Sequence, residues 1–358
     1  FPSLYLYSYD SPLRAFKFKL LKEPIDLYEW LSHLSGGFSE PYTFGERMAV
    51  WGRKNYNRFD VVHDNQTLAY GLIKLRDMGV PVVGTIHHPI TMDKRIDIKH
   101  AETLSLKLLK WRWYSFLKMQ IKVARQLDPI IVVSENTRKD VVKDFKIDPK
   151  KTRKVLHGID HKTFEPIPSI KRKKNQLITT ASADVPLKGL IYLIRAYSDL
   201  LNDFPDLSLI VIGKLRDGPT SKELDKKGIK DKVKFISDLT SRQIAELYAE
   251  STIAVSPSVY EGFGFPAGEA MSCGIPLIST NGGSLPEVVG DSGIIVPHSN
   301  PGELQKAIKE LLLSPEKRKE FGEKGRNRVL EKFTWKRAAK ELVDVYREAI
   351  SNADNRSR

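Results

Sequence analysis

The stretch SPSVYEGFGFPAGEAM at positions 256–271 carries the densest chemistry in the chain. A strand ending near Ser256 feeds a glycine-broken loop, and a helix starts near Pro266, a residue favoured in a first turn. The unpaired N–H groups and positive dipole end of such a helix attract anions, and Gly262 and Gly264 let main chain approach a ligand closely. Glu261 in the loop and Glu269 eight positions later reach toward the same ligand and suit the binding of hydroxyl pairs. The plainer alternative has Glu261 capping the helix and Glu269 facing water.

Two further places offer reactive side chains. Lys188, in DVPLKG, is a point charge beside a turn glycine, either on a phosphate or merely solvated. In GTIHHP, His87 and His88 follow a strand and so fall at its carboxyl edge, where open α/β sheets bind ligands. His63 has a similar place and reads as positional. No HExxH, paired CxxC, GxSxG, Walker A loop or strand-borne GxGxxG is present, so metal, serine-hydrolase and dinucleotide chemistries lose support. Cys273 reads as a packed thiol, and a single cysteine builds no disulfide framework, which fits a reducing, cytoplasmic setting.

These residues need a scaffold, and 358 residues allow two or three domains. Short Val- and Ile-rich runs at 60–63, 81–87, 129–134 and 153–157 read as buried parallel strands separated by helices. A proline-punctuated basic stretch, 166–175, reads as a linker. The alternation restarts with strands at 176–181, 207–212, 233–236, 252–256, 276–279 and 293–296. The reading is α/β, with two Rossmann-like domains facing a central cleft: residues 1–168, then 169–335, then a helix over 336–358 that crosses back, with a frayed polar tail from Ser351.

The formal charge is +14, and no run reaches the roughly 18 uncharged apolar residues a spanning helix needs. The excess is heaviest from Thr91 to Gln126, where nine basic residues face three acidic ones. That stretch has no Gly or Pro and interleaves Trp111, Trp113, Tyr114 and Phe116 with leucines, so it reads as one long amphipathic helix. It suits either an anionic membrane surface, on the inner face of the membrane, or packing with solvated lysines. No nucleic-acid-reading signature accompanies the charge, so no specific nucleic acid is expected.

From about Asp60 to Ala349 the chain resembles the retaining glycosyltransferases of the GT-B fold, in particular glycosyltransferase family 4. The resemblance rests on Glu261-x7-Glu269, the AMSCGIP at 270–276, the GGSLPEVV at 282–289, the VVSE at 132–135 and the HGID at 157–160. It implies a hexosyltransferase that takes a nucleotide sugar such as a UDP- or GDP-hexose as co-substrate, with no separate cofactor and no metal, and a saccharide or lipid-linked acceptor. Glu261 would bind hydroxyls of the donor sugar, and the backbone of Gly262, Phe263, Gly264 and Phe265 the sugar and distal phosphate. Glu269 would take the ribose hydroxyls, Lys188 the diphosphate, and main chain at Gly213 and Ile236 to Leu239 the base. His87 would act near the reacting sugar, with His88 as its rival.

Two departures stand out. Where such enzymes have an arginine five positions before the lysine, this chain has Ala183 after Ser182, so either Lys214 or Arg216 would supply the second cation or phosphate binding would lean on the helix N-terminus. The opening strand and Gly-rich loop are not found: the chain begins Phe1-Pro2-Ser3 and offers only Gly36-Gly37, so the first domain is expected to lack its N-terminal strands. Competing readings are a GT-B-like epimerase or phosphorylase and, more remotely, a non-catalytic basic nucleic-acid-binding protein.

Overall fold

The computed structural model describes residues 4–8, 12–181 and 185–357. The chain divides into two compact units, one of residues 1–133, 137–155 and 341–358, the other of 134–136 and 156–340. The passage into the second unit at Val155 and Leu156 precedes the proline-punctuated stretch, which lies in that unit. There Thr252 Oγ1 donates to Lys173 O at 2.6 Å, and Lys173 N donates to Glu250 O at 2.7 Å.

The first unit holds four parallel strands in the order β1-β2-β3-β4: Val62–Asn65, Val82–Ile86, Ile130–Val132 and Thr152–Lys154. Its helices are α1 (Pro24–Leu34), α2 (Glu40–Asn55), α3 (Tyr70–Asp77), α4 (Thr91–His100), α5 (Leu104–Trp113), α6 (Leu117–Ala124) and α7 (Glu135–Phe145), whose first two residues are grouped with the second unit. Alternate strand residues bury on opposite faces. Val82, Ile86, Ile130 and Val132 meet Leu72, Val123 and Val141, whereas Val83 and Ile131 meet Val345 and Ala349 of the C-terminal segment. With both faces covered, the central strands β2 and β3 are buried along their whole length, whereas the edge strands β1 and β4 carry polar residues. Helices α2 and α3 approach so closely that a Cβ on Gly71 would stand 1.9 Å from Gly45 O.

The second unit holds six parallel strands in the order β10-β9-β8-β5-β6-β7. They are β5 (Gln176–Thr180), β6 (Ser208–Ile212), β7 (Val233–Ile236), β8 (Ile253–Ser256), β9 (Leu277–Thr280) and β10 (Ile294–Val296). Helices α8 (Leu190–Leu200), α9 (Pro219–Lys227), α10 (Ser241–Glu250), α11 (Phe265–Ser272), α12 (Leu285–Val289), α13 (Pro301–Leu313) and α14 (Pro315–Lys332) follow the strands. The strand order steps outward on both sides of the β5–β8 pair, the switch at which doubly wound sheets bind ligands. Helix α15 (Trp335–Ser357) ends the chain.

Two expectations are corrected. Residues 91–126 form three α-helices with a 3₁₀ turn, not one helix: Ala101 is extended, and Thr103 Oγ1 accepts from Leu106 N at 3.2 Å to start α5 afresh. An N-cap threonine satisfies an orphan N–H of the first turn and so favours a fresh helix start at this point. The tail after Ser351 is helical to Ser357, because Val345, Ala349 and Ala353 are buried at a spacing of four along one face of α15. No helix among the described residues is long and apolar enough to cross a membrane.

Candidate functional site

In the second unit the glycine-broken loop leaves β8 and enters α11 through Gly264, with Pro266 in the first turn. Glu261 Oε1 accepts from Lys188 Nζ at 2.8 Å and from Ser258 Oγ at 2.7 Å. Lys188 reaches it from a 3₁₀ turn, Pro186–Lys188, whose Leu187 O accepts from Val259 N at 2.8 Å. The sequence-selected Lys188 and Glu261 therefore meet directly, each orienting the other. Glu261 O accepts from Ser284 N at 2.9 Å and from Ser284 Oγ at 3.1 Å. That seat requires Gly283, whose φ is +63° and whose hypothetical Cβ would lie 2.2 Å from Glu261 O.

The Phe263 side chain is core, at 4% exposure, with ring centroids 5.2 Å from His157 and 5.7 Å from Phe333. What this stretch can present to a ligand is its backbone and the exposed Phe265 ring, stacked 5.1 Å from His157. Ser134, grouped with the second unit, donates to Gly262 O at 3.0 Å.

Glu269 lies inside α11, and its carboxylate has no hydrogen-bond partner among the described residues, while its carbonyl accepts from Cys273 N at 3.0 Å. Burial pushes its carboxyl up to about 7. Raised above the ordinary value, it ionises as pH climbs through neutrality, so a ligand offering hydroxyl donors would favour its charged form. The same environment makes Cys273 a poor thiolate: it is 1% exposed, and burial, followed by the Glu269 charge, pushes it up to about 12.

At the carboxyl ends of β6 and β7, Gly213 N donates to Ile236 O at 2.7 Å, and Leu239 follows, half-buried. Lys214, one candidate second cation, is exposed and pairs with Asp238 at 3.1 Å, and Arg216 is exposed. Ser182 and Ala183 lie outside the described residues.

His87 and His88 belong to the first unit, just past β2. His87 Nε2 lies 2.6 Å from Asn65 Oδ1, which makes Nε2 the protonated nitrogen and leaves the lone pair on Nδ1. Its main chain is clamped by Gln66, whose Oε1 accepts from His87 N at 2.6 Å and whose Nε2 donates to His88 O at 2.8 Å. Desolvation lowers the His87 pKa, with smaller contributions from His88 and His63, so the ring is neutral at pH 7. His88 Nε2 is 2.8 Å from Asp93 Oδ2. His63 bridges Tyr346 and Thr85 at 2.7 Å each, in keeping with a positional role.

Sequence reasoning passed over Ser258, Ser284, Asn65 and Gln66, which hold the chosen residues in place. Ser258 and Ser284 stand in the quoted motifs, three positions before Glu261 and directly after Gly283, so the motif spacing held their signal. Asn65 ends β1 and Gln66 follows it, with no such pattern. Among the described residues no group of three or more His, Cys, Asp or Glu side chains could hold a metal ion.

Residues 162–328 match the model of the family described as glycosyl transferases group 1, and residues 8–163 match glycosyltransferase family 4. An MMP alpha-(1->4)-mannosyltransferase of Mycolicibacterium hassiacum is 40% identical over 98% of this chain and 85% of its own. A D-inositol 3-phosphate glycosyltransferase of Streptomyces bingchenggensis is 28% identical over 85% of this chain and 70% of its own. Among solved structures, sucrose-phosphate synthase from Thermosynechococcus elongatus superposes with a TM-score of 0.72 at 21% identity, covering 87% of this chain and 78% of that one. Anabaena HepE in complex with UDP superposes at 0.69 and 16% identity, covering 84% and 82%. The fold of two parallel-sheet domains is thus that of the GT-B glycosyltransferases.

Proposed function

We propose that this chain, which belongs to the family of glycosyl transferases group 1, moves a hexose from a nucleoside-diphosphate sugar to a saccharide or lipid-linked acceptor with retention at the anomeric carbon. That it is a glycosyltransferase enzyme follows from the relatives. The donor assignment rests on one observation: Lys188, Ser258 and Glu261 are tied together within 2.8 Å beside the loop that opens α11.

In this reading the α11 N-terminus and Lys188 receive the diphosphate, whose charge grows as the bond from the anomeric carbon to its oxygen breaks. Glu261, held by Lys188 and Ser258, accepts from hydroxyls of the sugar. Glu269 accepts from the ribose hydroxyls, and the backbone at Gly213 and Ile236 to Leu239 meets the base. His87 meets the reacting sugar. The acceptor oxygen takes the anomeric carbon, and its proton leaves with the diphosphate or to water. Lys188 and the α11 N-terminus fill the role a metal would otherwise take, so none is assigned. The likeness to a mannosyltransferase over nearly the whole chain supports mannose as the hexose.

Titrating the protein with GDP-mannose, UDP-glucose and their nucleoside diphosphates while following thermal unfolding tests the donor. One base should raise the melting temperature and the others should not. No shift with any of them would remove the donor reading.

A second contact has its own observation. On α5, Leu104, Leu108 and Trp111 are 73%, 63% and 55% exposed among Lys107 and Lys110, and the Lys94 and Lys118 ammonium groups stand 5.4 and 5.6 Å from the Trp111 ring centre. An apolar face rimmed by cations fits peripheral contact with an anionic membrane at the cytoplasmic side. Flotation with anionic vesicles should then fall as salt rises, and absence of any salt-sensitive binding would end the idea.

A further inference from the structure

Arg172, Lys173 and Lys174 of the proline-punctuated basic stretch, which no step of the donor reading uses, line a cavity of about 770 Å³ within the second unit. Asn175, Thr252 and Gly274, which precede β5, β8 and β9, lie in its wall. The cavity therefore sits at the amino edge of the sheet, whereas the glycine-broken loop that opens α11 leaves the carboxyl edge. Most of the remaining wall is α14, from Pro315 to Asn327. Bare backbone lets these parts meet: Gly274 has a φ of +66°, and a Cβ on Gly322 would stand 2.5 Å from Gly274 O.

Six side chains of the wall are basic and one, Glu323, is acidic. Lys173 is taken by Glu250 at 2.5 Å, and Lys319 stands 4.0 Å from Glu323. Arg172, Lys174, Arg318 and Arg326 have no carboxylate partner among the described residues. The three guanidiniums are anchored on main-chain carbonyls instead: Arg172 Nη2 on Gly274 O at 2.7 Å, Arg318 Nη1 on Leu312 O at 2.8 Å and Arg326 Nη1 on Ser272 O at 2.9 Å. Such contacts fix the heads without cancelling their charge, and they leave Nε and one amino group of each for another acceptor. Arg172 and Lys174 are exposed, so a ligand reaches them from solvent. Partial loss of hydration and the Arg318 charge beside it lower the Arg172 pKa, so an anion placed between the two would relieve their repulsion. Pro315, in the first turn of α14, borders the same space, and the positive end of that helix adds to the field.

We propose that this cavity is a second ligand site, apart from the donor edge, for a small soluble metabolite bearing two phosphoryl groups. Planar guanidinium forks match phosphoryl oxygens two at a time, and several uncompensated cations call for more than one negative charge. The volume falls within the roughly 300–1,000 Å³ of small-molecule sites, and no aromatic side chain among the described residues lines it, which favours a free ligand over a membrane surface. The site stands independently of the glycosyl-transfer reading.

Calorimetric titration of the full chain with fructose 1,6-bisphosphate at constant ionic strength tests it, with thermal unfolding reporting that each variant is folded. Wild type should bind the probe. Arg172→Gln, whose amide can still donate to Gly274 O, should raise the Kd at least about tenfold, the size of one hydrogen bond made to a charged group. Lys174→Gln changes a side chain with no partner among the described residues, so its smaller rise in Kd is free of any folding defect. Lys188→Ala should leave the Kd unchanged, which separates this site from the donor loop.

If wild type does not bind the probe, if Arg172→Gln and Lys174→Gln bind it as wild type does, or if Lys188→Ala alone abolishes binding, the site is wrong and the transfer reading stands. Binding found only on vesicles carrying phosphoinositide headgroups, and never to the free bisphosphate, would overturn the choice of a soluble ligand.

Discussion

The carboxyl ends of β8 and β1 carry opposite electrostatic arrangements. After β8, the Glu261 carboxylate meets Lys188 and Ser258, and its carbonyl meets Ser284, so protein partners hold its geometry. Near the end of β1, buried oxygens of Glu29 and Gln120 have no donor among the described residues. A group that handles a diphosphate must be preorganised, because charge develops during the reaction and realignment would cost rate.

The largest effect expected is at Lys188. Lys188→Ala should lower kcat/KM by about 10²- to 10³-fold, as loss of a single charge-stabilising donor does. Steady-state donor turnover at the wild-type rate would show that the β8 edge is not the preorganised one. Next come the histidines, where His87→Ala should cost about 10²-fold in kcat, the lower range for a positioned acid–base group. His88→Ala should cost far less, because its ring is directed to Asp93. Equal losses would erase the distinction between them.

Glu269→Gln sharpens the contrast within the second unit, since Glu269 is a buried carboxylate there with no partner among the described residues. With its pKa at about 7 when empty, ionisation as pH rises from 6 to 8 should strengthen nucleoside-diphosphate binding by several-fold in calorimetric titrations. The glutamine variant should bind about tenfold more weakly at pH 8 and lose that slope. A slope that persists in the variant would assign it elsewhere. For the empty protein the sign reverses: a carboxyl raised by burial costs stability as pH climbs past its unfolded value toward 7.

The smallest effect on catalysis belongs to Gly71→Ala, which crowds Gly45 O between α2 and α3. Overpacking of this kind should remove about 1–3 kcal/mol in denaturant unfolding, with nucleotide binding unchanged. A loss of nucleotide binding in the folded variant would mean that the first unit shapes the donor site.

Much of the scaffold was legible because buried parallel strands advertise themselves as short Val and Ile runs. The six in the second unit fall within a residue of their expected limits, and β1 lies two residues later, where Asp64 is buried and its Oδ2 accepts from Leu68 N at 2.9 Å. The glycine loop before α11 was legible for a similar reason, since the need for bare backbone leaves glycines in the sequence. Residues 91–126 misled because Thr103 caps a helix without the punctuation of Gly or Pro. The lone oxygens near β1 were illegible. Glu29 and Gln120 come from distant helices, and nothing in their spacing says that two oxygens would be left unpaired.

The central claim is that the Lys188–Glu261 pair handles the donor of a hexosyl transfer. The most direct test is to incubate wild type and Lys188→Ala with GDP-mannose or UDP-glucose and a neutral mannoside, quantifying nucleoside diphosphate and glycoside together. Equimolar release of both by wild type, with a retained anomeric centre and a collapse in the variant, is the predicted result. Nucleoside diphosphate released without glycoside, or equally by both proteins, would contradict it.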